Sequence, residues 1–260
     1  MLDQADGEFL SIDGARLECR RIPGDPAKPT VVLLHEGLGS VSMWRDFPDK
    51  LAAATGAPVF LYSRAGYGRS SQQPLPWPTR YMHREALDVL PRVLDAAGIG
   101  EHVLLGHSDG GSIALIYAGG AARPGLRGVV TMAAHAFNEE VCVKSIAMAR
   151  DAYATTDLRQ RLARYHGDNV DNAFRGWNDV WLSPEFWHWN IEEYFPRISV
   201  PVLAMQGMDD EYGTEKQVDA IVGQVKGRAD KLMLPACKHS PHRDQPQAVL
   251  DAVGGFLQRG

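Results

Sequence analysis

Residues 103–120, VLLGHSDGGSIALIYAGG, decide how the rest of the chain is interpreted. An apolar run ends at Leu105, Ser108 follows between two glycines, and small and apolar residues continue from Gly110. This order predicts a buried strand, a sharp strained turn and a helix, with Ser108 at the carboxyl edge of a sheet. Open α/β sheets bind ligands at that edge. Ser108 is therefore either a catalytic nucleophile or an ordinary serine in a glycine-rich turn.

Short apolar runs alternate with helical patterns along the chain. The runs that predict strands cover residues 30–35, 58–63, 102–107, 128–133, 201–207 and 231–236. They are almost continuously apolar, as strands buried on both faces of a parallel sheet are. Helical patterns lie near residues 43–55, 79–98, 109–121, 214–226 and 245–258. The alternation predicts an α/β fold with right-handed crossovers and helices on both faces of the sheet.

Two local signals refine this prediction. Residues 7–23, GEFLSIDGARLECRRIP, predict two antiparallel strands joined at Asp13-Gly14, which is a strong hairpin signal. With the six runs above, they predict eight strands. Pro91 lies inside the helical stretch 79–98 and is expected to kink or divide it.

One interval breaks the alternation. Residues 135–198 contain helical patterns but no strand-like run, and they are predicted to form an inserted helical cap on a core domain of residues 1–134 and 199–260. Ser183-Pro184-Glu185 has the pattern of a helix N-terminus. Four tryptophans are expected mainly to pack the cap onto the core, with one or two lining a pocket. They are Trp177, Trp181, Trp187 and Trp189.

Composition favours a small-molecule partner. The 260 residues carry a formal net charge of -5 and no Lys/Arg cluster, which argues against nucleic acid. Three scattered cysteines predict neither a disulfide framework nor a zinc site. The N-terminus lacks the pattern of a signal peptide and no apolar run is long enough to span a membrane, so a cytoplasmic protein is expected. The oligomeric state is left open, a homo-oligomer included.

A nucleophilic serine needs a base and an orienting acid, because a free hydroxyl reacts poorly at neutral pH. In a strand-turn-helix architecture of this kind the acid follows a later strand and the base comes near the end of the chain. Residues 209–211, Asp-Asp-Glu, follow the run 201–207. His239 and His242 follow the run 231–236. The sequence thus supplies both partners in the required order.

The chain here resembles the α/β-hydrolase superfamily over nearly its whole length. The matching motifs are LLHEGLG (33–39) with Trp44 downstream, YSRAGYGRS (62–70), GHSDGG (106–111), MQGMDDEYG (205–213) and KHSPHRDQP (238–246). The resemblance implies Ser108 as nucleophile, Asp210 as orienting acid and His239 as general base. The family spacing selects Asp210 over its two acidic neighbours and His239 over His242.

The resemblance also implies an oxyanion hole, whose donors are typically worth about 3 kcal/mol of barrier each. The backbone N–H of Asp109 is one expected donor, and Gly37, or Leu38 if the loop is shifted, is the other. The family usually has glycine where this chain has Glu36. The favoured interpretation is that Glu36 bonds a loop amide or pairs with an arginine of the 62–70 motif, Arg64 or Arg69. A substrate contact is the alternative.

The expected chemistry is cleavage of a small-to-medium carboxylic ester or lactone through an acyl-enzyme, with no cofactor. Candidate substrate contacts are Glu36, His107, Trp177 and Trp181. The remaining histidines are expected to be structural or exposed, and His239-x-x-His242 lacks the spacing of a zinc motif, so no metal is expected.

The residues around Ser108 argue against other classes of enzyme with this fold and leave only the carbon–carbon hydrolases as an alternative enzyme. Dehalogenases and epoxide hydrolases use aspartate where this chain has Ser108. Carbon–carbon hydrolases usually have asparagine and tryptophan where it has His107 and Ser240, which places them second. Proline iminopeptidases typically have tryptophan at the position of Asp109. A receptor that binds a small molecule without turnover is the alternative from outside enzymology.

Overall fold

The computed structural model describes residues 8–259, so the first seven residues, including Gly7 of the predicted hairpin stretch, and Gly260 lie outside the described part. Eight strands form one sheet in the spatial order β1-β2-β4-β3-β5-β6-β7-β8. Their bounds are β1 Glu8–Ile12, β2 Ala15–Ile22, β3 Thr30–Leu34, β4 Val59–Tyr62, β5 His102–His107, β6 Leu126–Met132, β7 Val202–Gly207 and β8 Ala229–Leu234. β2 is antiparallel to both neighbours, and every other neighbouring pair is parallel. The predicted mostly parallel, eight-stranded α/β sheet is confirmed.

The β1–β2 hairpin has the predicted two-residue turn. Ile12 pairs with Ala15, and Asp13 and Gly14 between them have φ angles of 50° and 82°. Two consecutive positive φ angles define the hairpin turn that Asp-Gly favours. The antiparallel start of the sheet therefore follows from local sequence alone.

Helices cover both faces of the sheet. Their bounds are α1 Phe47–Thr55, α2 Tyr81–Arg84, α3 Leu90–Ala96, α4 Asp109–Gly120, α5 Glu140–Thr155, α6 Leu158–His166, α7 Val170–Trp181, α8 Glu215–Gln224, α9 Pro241–Asp244 and α10 Pro246–Arg259. Val31 and Leu33 belong to the core that includes α1 and α10, whereas Val32 and Leu34 belong to the core that includes α3, α4 and α8. Successive side chains of one strand thus enter two different cores, which explains why the strands are continuously apolar.

Pro91 divides the second helical stretch, as predicted. A π-helical turn over Glu85–Val89 separates α2 from α3, and Pro91 is at the start of α3. Proline has no N–H to donate to the preceding turn, so the regular α-helical ladder cannot run through it.

Between β6 and β7 the chain contains α5, α6, α7 and three 3-10 turns, Gly167–Asn169, Pro184–His188 and Glu192–Arg197. We call residues 135–198 the helical segment. A 3-10 turn begins at Pro184 with Ser183 at the N-cap position, as predicted, although the Ser183 hydroxyl donates back to the carbonyl of Val180 and makes no capping bond. Trp187 is 49% exposed, against the packing role predicted for it, whereas the other three tryptophans of the segment are buried.

Candidate active site

Ser108 lies in the turn between β5 and α4, with φ of 53° and ψ of −119°. A positive φ is strained for a residue other than glycine. A Cβ on Gly106 would lie 2.2 Å from the carbonyl oxygen of Gly110, and one on Gly110 would lie 2.0 Å from that of Leu34. The two glycines that flank Ser108 are therefore required by close backbone packing.

The structure brings Ser108, His239 and Asp210 together at the carboxyl edge of the sheet. Ser108 Oγ lies 3.0 Å from His239 Nε2, and His239 Nδ1 lies 2.8 Å from Asp210 Oδ1. Because an ionised carboxylate only accepts, Nδ1 carries the hydrogen and Nε2 is free to accept from the serine hydroxyl. This is the arrangement in which a serine can be activated as a nucleophile.

The charges of this pair favour an ionised acid and a basic imidazole. Burial acts to raise the pKa of Asp210, but the charge and hydrogen bond of His239 outweigh it and lower the pKa. Burial acts to lower the pKa of His239, but the charge and hydrogen bond of Asp210 outweigh it, and the pKa is raised. Asp210 therefore stabilises the imidazolium that forms when His239 accepts a proton.

Free backbone amides lie beside Ser108. A turn closed by a 3.1 Å bond from the Gly39 N–H to the Glu36 carbonyl places Gly37 and Leu38 at its centre. Their N–H groups and that of Asp109, the first residue of α4, donate to no acceptor in residues 8–259. A Cβ on Gly37 would lie 2.3 Å from the Trp177 indole. All three predicted oxyanion donors are thus available, and Gly37 is held against a wall of the pocket.

Ser108 opens into a cavity of about 140 Å³. Five residues of the helical segment form much of its wall: His135, Cys142, Ile146, Trp177 and Trp181. The loop of Gly37 and Leu38 forms another side. The two tryptophans named from the sequence as substrate contacts therefore lie in the cavity that contains the serine.

Glu36 does not pair as predicted. Arg64 donates to the backbone carbonyls of His35 and Glu36, at 2.6 Å and 3.0 Å, and its ion pair is with Asp109. Arg69 pairs with Glu18. The half-buried Glu36 side chain instead lines the Ser108 cavity. The alternative of a substrate contact is the one that fits its position.

His107 lies behind the site rather than in the cavity. Its Nε2 donates to the backbone carbonyl of His239 at 2.7 Å, and it lines a neighbouring recess with Trp44 and His242. Burial lowers its pKa, so the ring is neutral at pH 7. The predicted substrate contact is therefore wrong, and His107 positions the loop that carries His239.

Sequence reasoning did not identify several residues of this cavity, among them two ring side chains, His135 and Tyr212. Burial lowers the pKa of His135 to about 4, and its Nε2 donates to the Tyr212 carbonyl, which leaves Nδ1 as an acceptor with no partner among residues 8–259. The Tyr212 ring lies beside His239, with ring centroids 4.6 Å apart and the ring planes tilted by 43°. Both follow the ends of strands, and this was the one signal in the sequence that could have identified them.

A buried network supports Asp109. Tyr81 donates its hydroxyl hydrogen to Asp109, and Trp181 Nε1 donates to the Tyr81 oxygen at 2.9 Å. Burial raises the pKa of Asp109, and Arg64, 3.9 Å away, opposes that rise. The network ties the residue after Ser108 to a tryptophan of the cavity wall.

Comparison with known proteins identifies the family. Residues 29–178, more than half of the chain, match the family described as the α/β hydrolase fold. The chain belongs to the α/β hydrolase fold family.

Among the 252 described residues of this α/β hydrolase, no group of three or more His, Cys, Asp or Glu side chains is arranged to hold a metal ion. None of the helices within residues 8–259 has the length and apolar character to cross a membrane.

Similar proteins include iminopeptidases matched in sequence and a lactonase matched in structure. A proline iminopeptidase of Levilactobacillus brevis is 27% identical over 88% of each chain. One of Lactobacillus delbrueckii subsp. lactis is 30% identical over 44% of this chain, an alignment that spans only 39% of that relative's length. The enol-lactonase of Burkholderia xenovorans LB400 superposes with a TM-score of 0.75 over 96% of this chain and all of its own, at 22% identity. That last likeness shows the fold.

Proposed function

We propose that this hydrolase is a serine esterase that cleaves small carboxylic esters or lactones. The observation that carries the proposal is the hydrogen-bonded chain from Asp210 through His239 to Ser108. Ser108 lies in a cavity, with free backbone amides beside it. A serine nucleophile favours attack at an acyl carbon, because it leaves an ester that water can cleave.

In the proposed mechanism, Ser108 Oγ attacks the substrate carbonyl while His239 Nε2 accepts the hydroxyl proton. The Asp109 N–H and that of Gly37 or Leu38 stabilise the oxyanion. His239 then gives the proton to the leaving alcohol, and an acyl-enzyme remains on Ser108. Water, deprotonated by His239, cleaves this ester and restores the serine.

The helical segment 135–198 is proposed to act as a cap on the core of residues 1–134 and 199–260. It supplies the apolar wall of the cavity through α5 and α7. A cavity of about 140 Å³ is close to the size of apolar cavities that hold a benzene-sized ligand, about 150 Å³. Short acyl groups are therefore the expected substrates.

The first experiment measures initial rates on p-nitrophenyl acetate, butyrate, octanoate and dodecanoate. The wild type should turn over the acetate and butyrate fastest, and Ser108→Ala should lose activity by a factor of about 10⁴ or more. Ser11→Ala, a serine on the exposed face of β1, is the matched control and should retain the wild-type rate.

Equal residual rates in the wild type and Ser108→Ala would contradict the esterase proposal. A carbon–carbon hydrolase would then be tested with a ring-cleavage product. A receptor would be indicated by saturable ligand binding that persists in Ser108→Ala without turnover.

A second candidate is hydrolysis of a substrate that carries a protonated amine. The Glu36 and Glu211 carboxylates line the cavity without an ion-pair partner in the described part of the chain, and no Lys or Arg of that part lines it. An acceptor-rich, negatively charged cavity favours a cationic donor, and the relatives named proline iminopeptidase carry the same implication.

Matched substrates separate these two candidates. L-alanine ethyl ester and ethyl propionate differ only by the amine, and L-proline p-nitroanilide tests the relatives' activity directly. An amine-directed enzyme should prefer the amino ester by about 10-fold or more in kcat/KM, and Glu36→Gln should reduce that ratio. Glu101→Gln, on the surface, should not change it. A ratio near one in the wild type would exclude the second candidate.

A further inference from the structure

The loop that carries Asp210 is held at four consecutive residues. β7 ends at Gly207 and α8 begins at Glu215, and we call residues 208–214 the acid loop. From residue 211 to residue 214, each has a backbone group that is hydrogen-bonded to a side chain outside the loop. The partners are Ser145 for the Glu211 carbonyl, His135 for the Tyr212 carbonyl, Gln206 for the Gly213 carbonyl and Glu139 for the Thr214 N–H. Three of these four side chains belong to the helical segment, so that segment holds the acid loop as well as forming the cavity wall.

One peptide group of the acid loop connects Ser145 with the acid. Ser145 Oγ donates to the Glu211 carbonyl at 2.5 Å, and the N–H of the same peptide, that of Tyr212, donates to Asp210 Oδ1 at 2.8 Å. Because a peptide group is planar, fixing its carbonyl also fixes the direction of its N–H. Hydrogen bonds in series through one amide also strengthen each other. The Ser145 hydroxyl therefore helps to set where the Asp210 carboxylate lies.

His135 holds the next peptide group. Its Nε2 donates to the Tyr212 carbonyl at 3.1 Å, and the residue is buried. Tyr212 is thereby fixed on both sides, by its N–H to Asp210 and by its carbonyl to His135. The Tyr212 ring lies beside His239, so this one residue contacts both the acid and the base. A shift of Tyr212 would change the contact between them.

Neither Ser145 nor His135 carries a charge near neutral pH. The serine hydroxyl is neutral, and burial lowers the pKa of His135 to about 4. Carboxylates and titratable rings lie around His239. They are Asp109, Asp210, Glu36 and Glu211, and Tyr212, His107, His135 and His242. Removing the Ser145 hydroxyl or the His135 N–H leaves every carboxylate in place, so a change in the pKa of His239 would report a change in the position of Asp210.

We propose that Ser145 and His135 are positioning residues for Asp210 and act through the backbone of the acid loop. This role rests on the reaction proposed for Ser108. In that reaction Asp210 must stay aligned with His239 while the imidazole takes up and releases a proton. The two residues contact neither the serine hydroxyl nor the imidazole nitrogens, and their effect passes through the acid.

The position of Ser145 also connects the acid with the cavity. Ser145 lies in α5 between Cys142 and Ile146, which line the Ser108 cavity. One turn of this helix therefore both lines the cavity and holds the acid loop. Removal of the Ser145 hydroxyl leaves both of these neighbours in the wall, so it should lower kcat and leave KM unchanged.

The test measures kcat and KM on p-nitrophenyl butyrate together with the pKa of His239. NMR gives this pKa from the Cε1 resonance of isotopically labelled histidine, assigned with His239→Gln. Relative to the wild type, kcat should fall about 3-fold in Ser145→Ala and about 10-fold in His135→Phe. The pKa of His239 should fall by about 0.3 in Ser145→Ala and by about 1 in His135→Phe, because the contact with Asp210 weakens.

Conservative variants separate positioning from packing. Ser145→Thr keeps the hydroxyl, and His135→Gln keeps an N–H donor at about the reach of Nε2. Both should return kcat and the pKa of His239 toward the wild-type values. A role in packing alone would leave the pKa of His239 unchanged in all four variants and would contradict the proposal.

Two control variants remove similar groups elsewhere. Ser183→Ala removes a hydroxyl of the helical segment that donates to the Val180 carbonyl at 2.8 Å. His102→Phe removes a buried ring that donates to a backbone carbonyl at 2.8 Å, at the amino end of β5. In both controls kcat and the pKa of His239 should equal those of the wild type.

A pKa of His239 that is unchanged or raised in both Ser145→Ala and His135→Phe would overturn the proposal. The NMR measurement does not depend on ester hydrolysis. If the wild type failed to hydrolyse esters while the pKa of His239 still fell in both variants, the esterase proposal would be wrong and the positioning role would stand.

Discussion

The chemistry of Ser108 depends on how its two partners are buried. Desolvation alone would neutralise both Asp210 and His239, and it is their mutual contact that keeps the acid ionised and the imidazole basic. Asp210 Oδ1 also accepts from the Tyr212 N–H at 2.8 Å, which fixes the carboxylate in its plane. The reactivity of the serine is therefore predicted to depend most strongly on the charge at position 210.

Asp210→Asn tests this dependence. We expect kcat on p-nitrophenyl butyrate to fall about 10⁴-fold, because the amide neither fixes the tautomer nor stabilises the imidazolium. In the wild type the rate should fall as the pH drops through a value above 6.5, where His239 becomes protonated. In the variant the acidic fall in rate should move to lower pH, since Asp210 no longer opposes the effect of burial on the His239 pKa and only the smaller effects of Glu36 and Glu211 remain. An acidic limb at the same pH in both proteins would contradict the argument.

The partner of the Glu36 side chain could not be predicted from the sequence. Its departure from the family pattern is plain in the sequence, and so are two arginines that could have paired with it. The Glu36 carboxylate stays unpaired with Arg64 because the Arg64 N–H groups donate to the backbone carbonyls of His35 and Glu36 instead. Such a choice between backbone and side-chain acceptors depends on side-chain orientation, which sequence spacing does not encode.

At the scale of elements, the sequence predicted every strand to within about two residues. Continuously apolar runs can be satisfied only by strands covered on both faces, so few alternatives exist. The helical segment was predicted as helices but not in its contacts. His135 and Ile146 are brought into the cavity by the way α5 leaves β6, and that path depends on long-range contacts with α8.

One buried glutamine fixes that path. Gln217 of α8 accepts from the Ala136 N–H at 2.7 Å and donates to the Phe137 carbonyl at 3.0 Å and to Glu139 at 2.7 Å. It therefore holds the chain between β6 and α5, next to His135.

Gln217→Ala should lower the free energy of unfolding by about 1–3 kcal/mol, because it leaves buried backbone groups unpaired. Urea denaturation measures this. Gln247→Ala, on the exposed face of α10, should stay within about 0.5 kcal/mol of the wild type. If Gln217 holds the cavity wall in place as argued, kcat/KM should fall in Gln217→Ala and not in Gln247→Ala. An equal loss of stability in both would show that Gln217 does not have this role.

At the scale of the whole molecule, the distribution of histidines sets the response to pH. Burial lowers the pKa of seven of the nine histidines: His35, His83, His102, His107, His135, His166 and His242. Only one, His239, has a raised pKa. Below about pH 6.5, each of these seven histidines binds fewer protons in the folded chain than in the unfolded chain. Their contribution to the free energy of unfolding is therefore complete above that pH and is lost as the pH falls. The raised pKa of His239 changes the free energy of unfolding in the opposite direction, but the effect of one histidine is smaller than that of seven.

The free energy of unfolding should therefore fall by at least about 3 kcal/mol between pH 7 and pH 5, since each buried neutral histidine contributes up to about 1.4 kcal/mol per pH unit. His242 offers the sharpest variant. Its ring packs among Trp44, Phe47 and His107, and its Nδ1 has no partner in the described part of the chain. His242→Phe keeps an aromatic ring there and removes one titrating group, so urea denaturation from pH 8 to pH 5 should show a slope smaller by about one proton. A wild-type free energy that stays constant over this range would mean that the buried rings accept protons without unfolding.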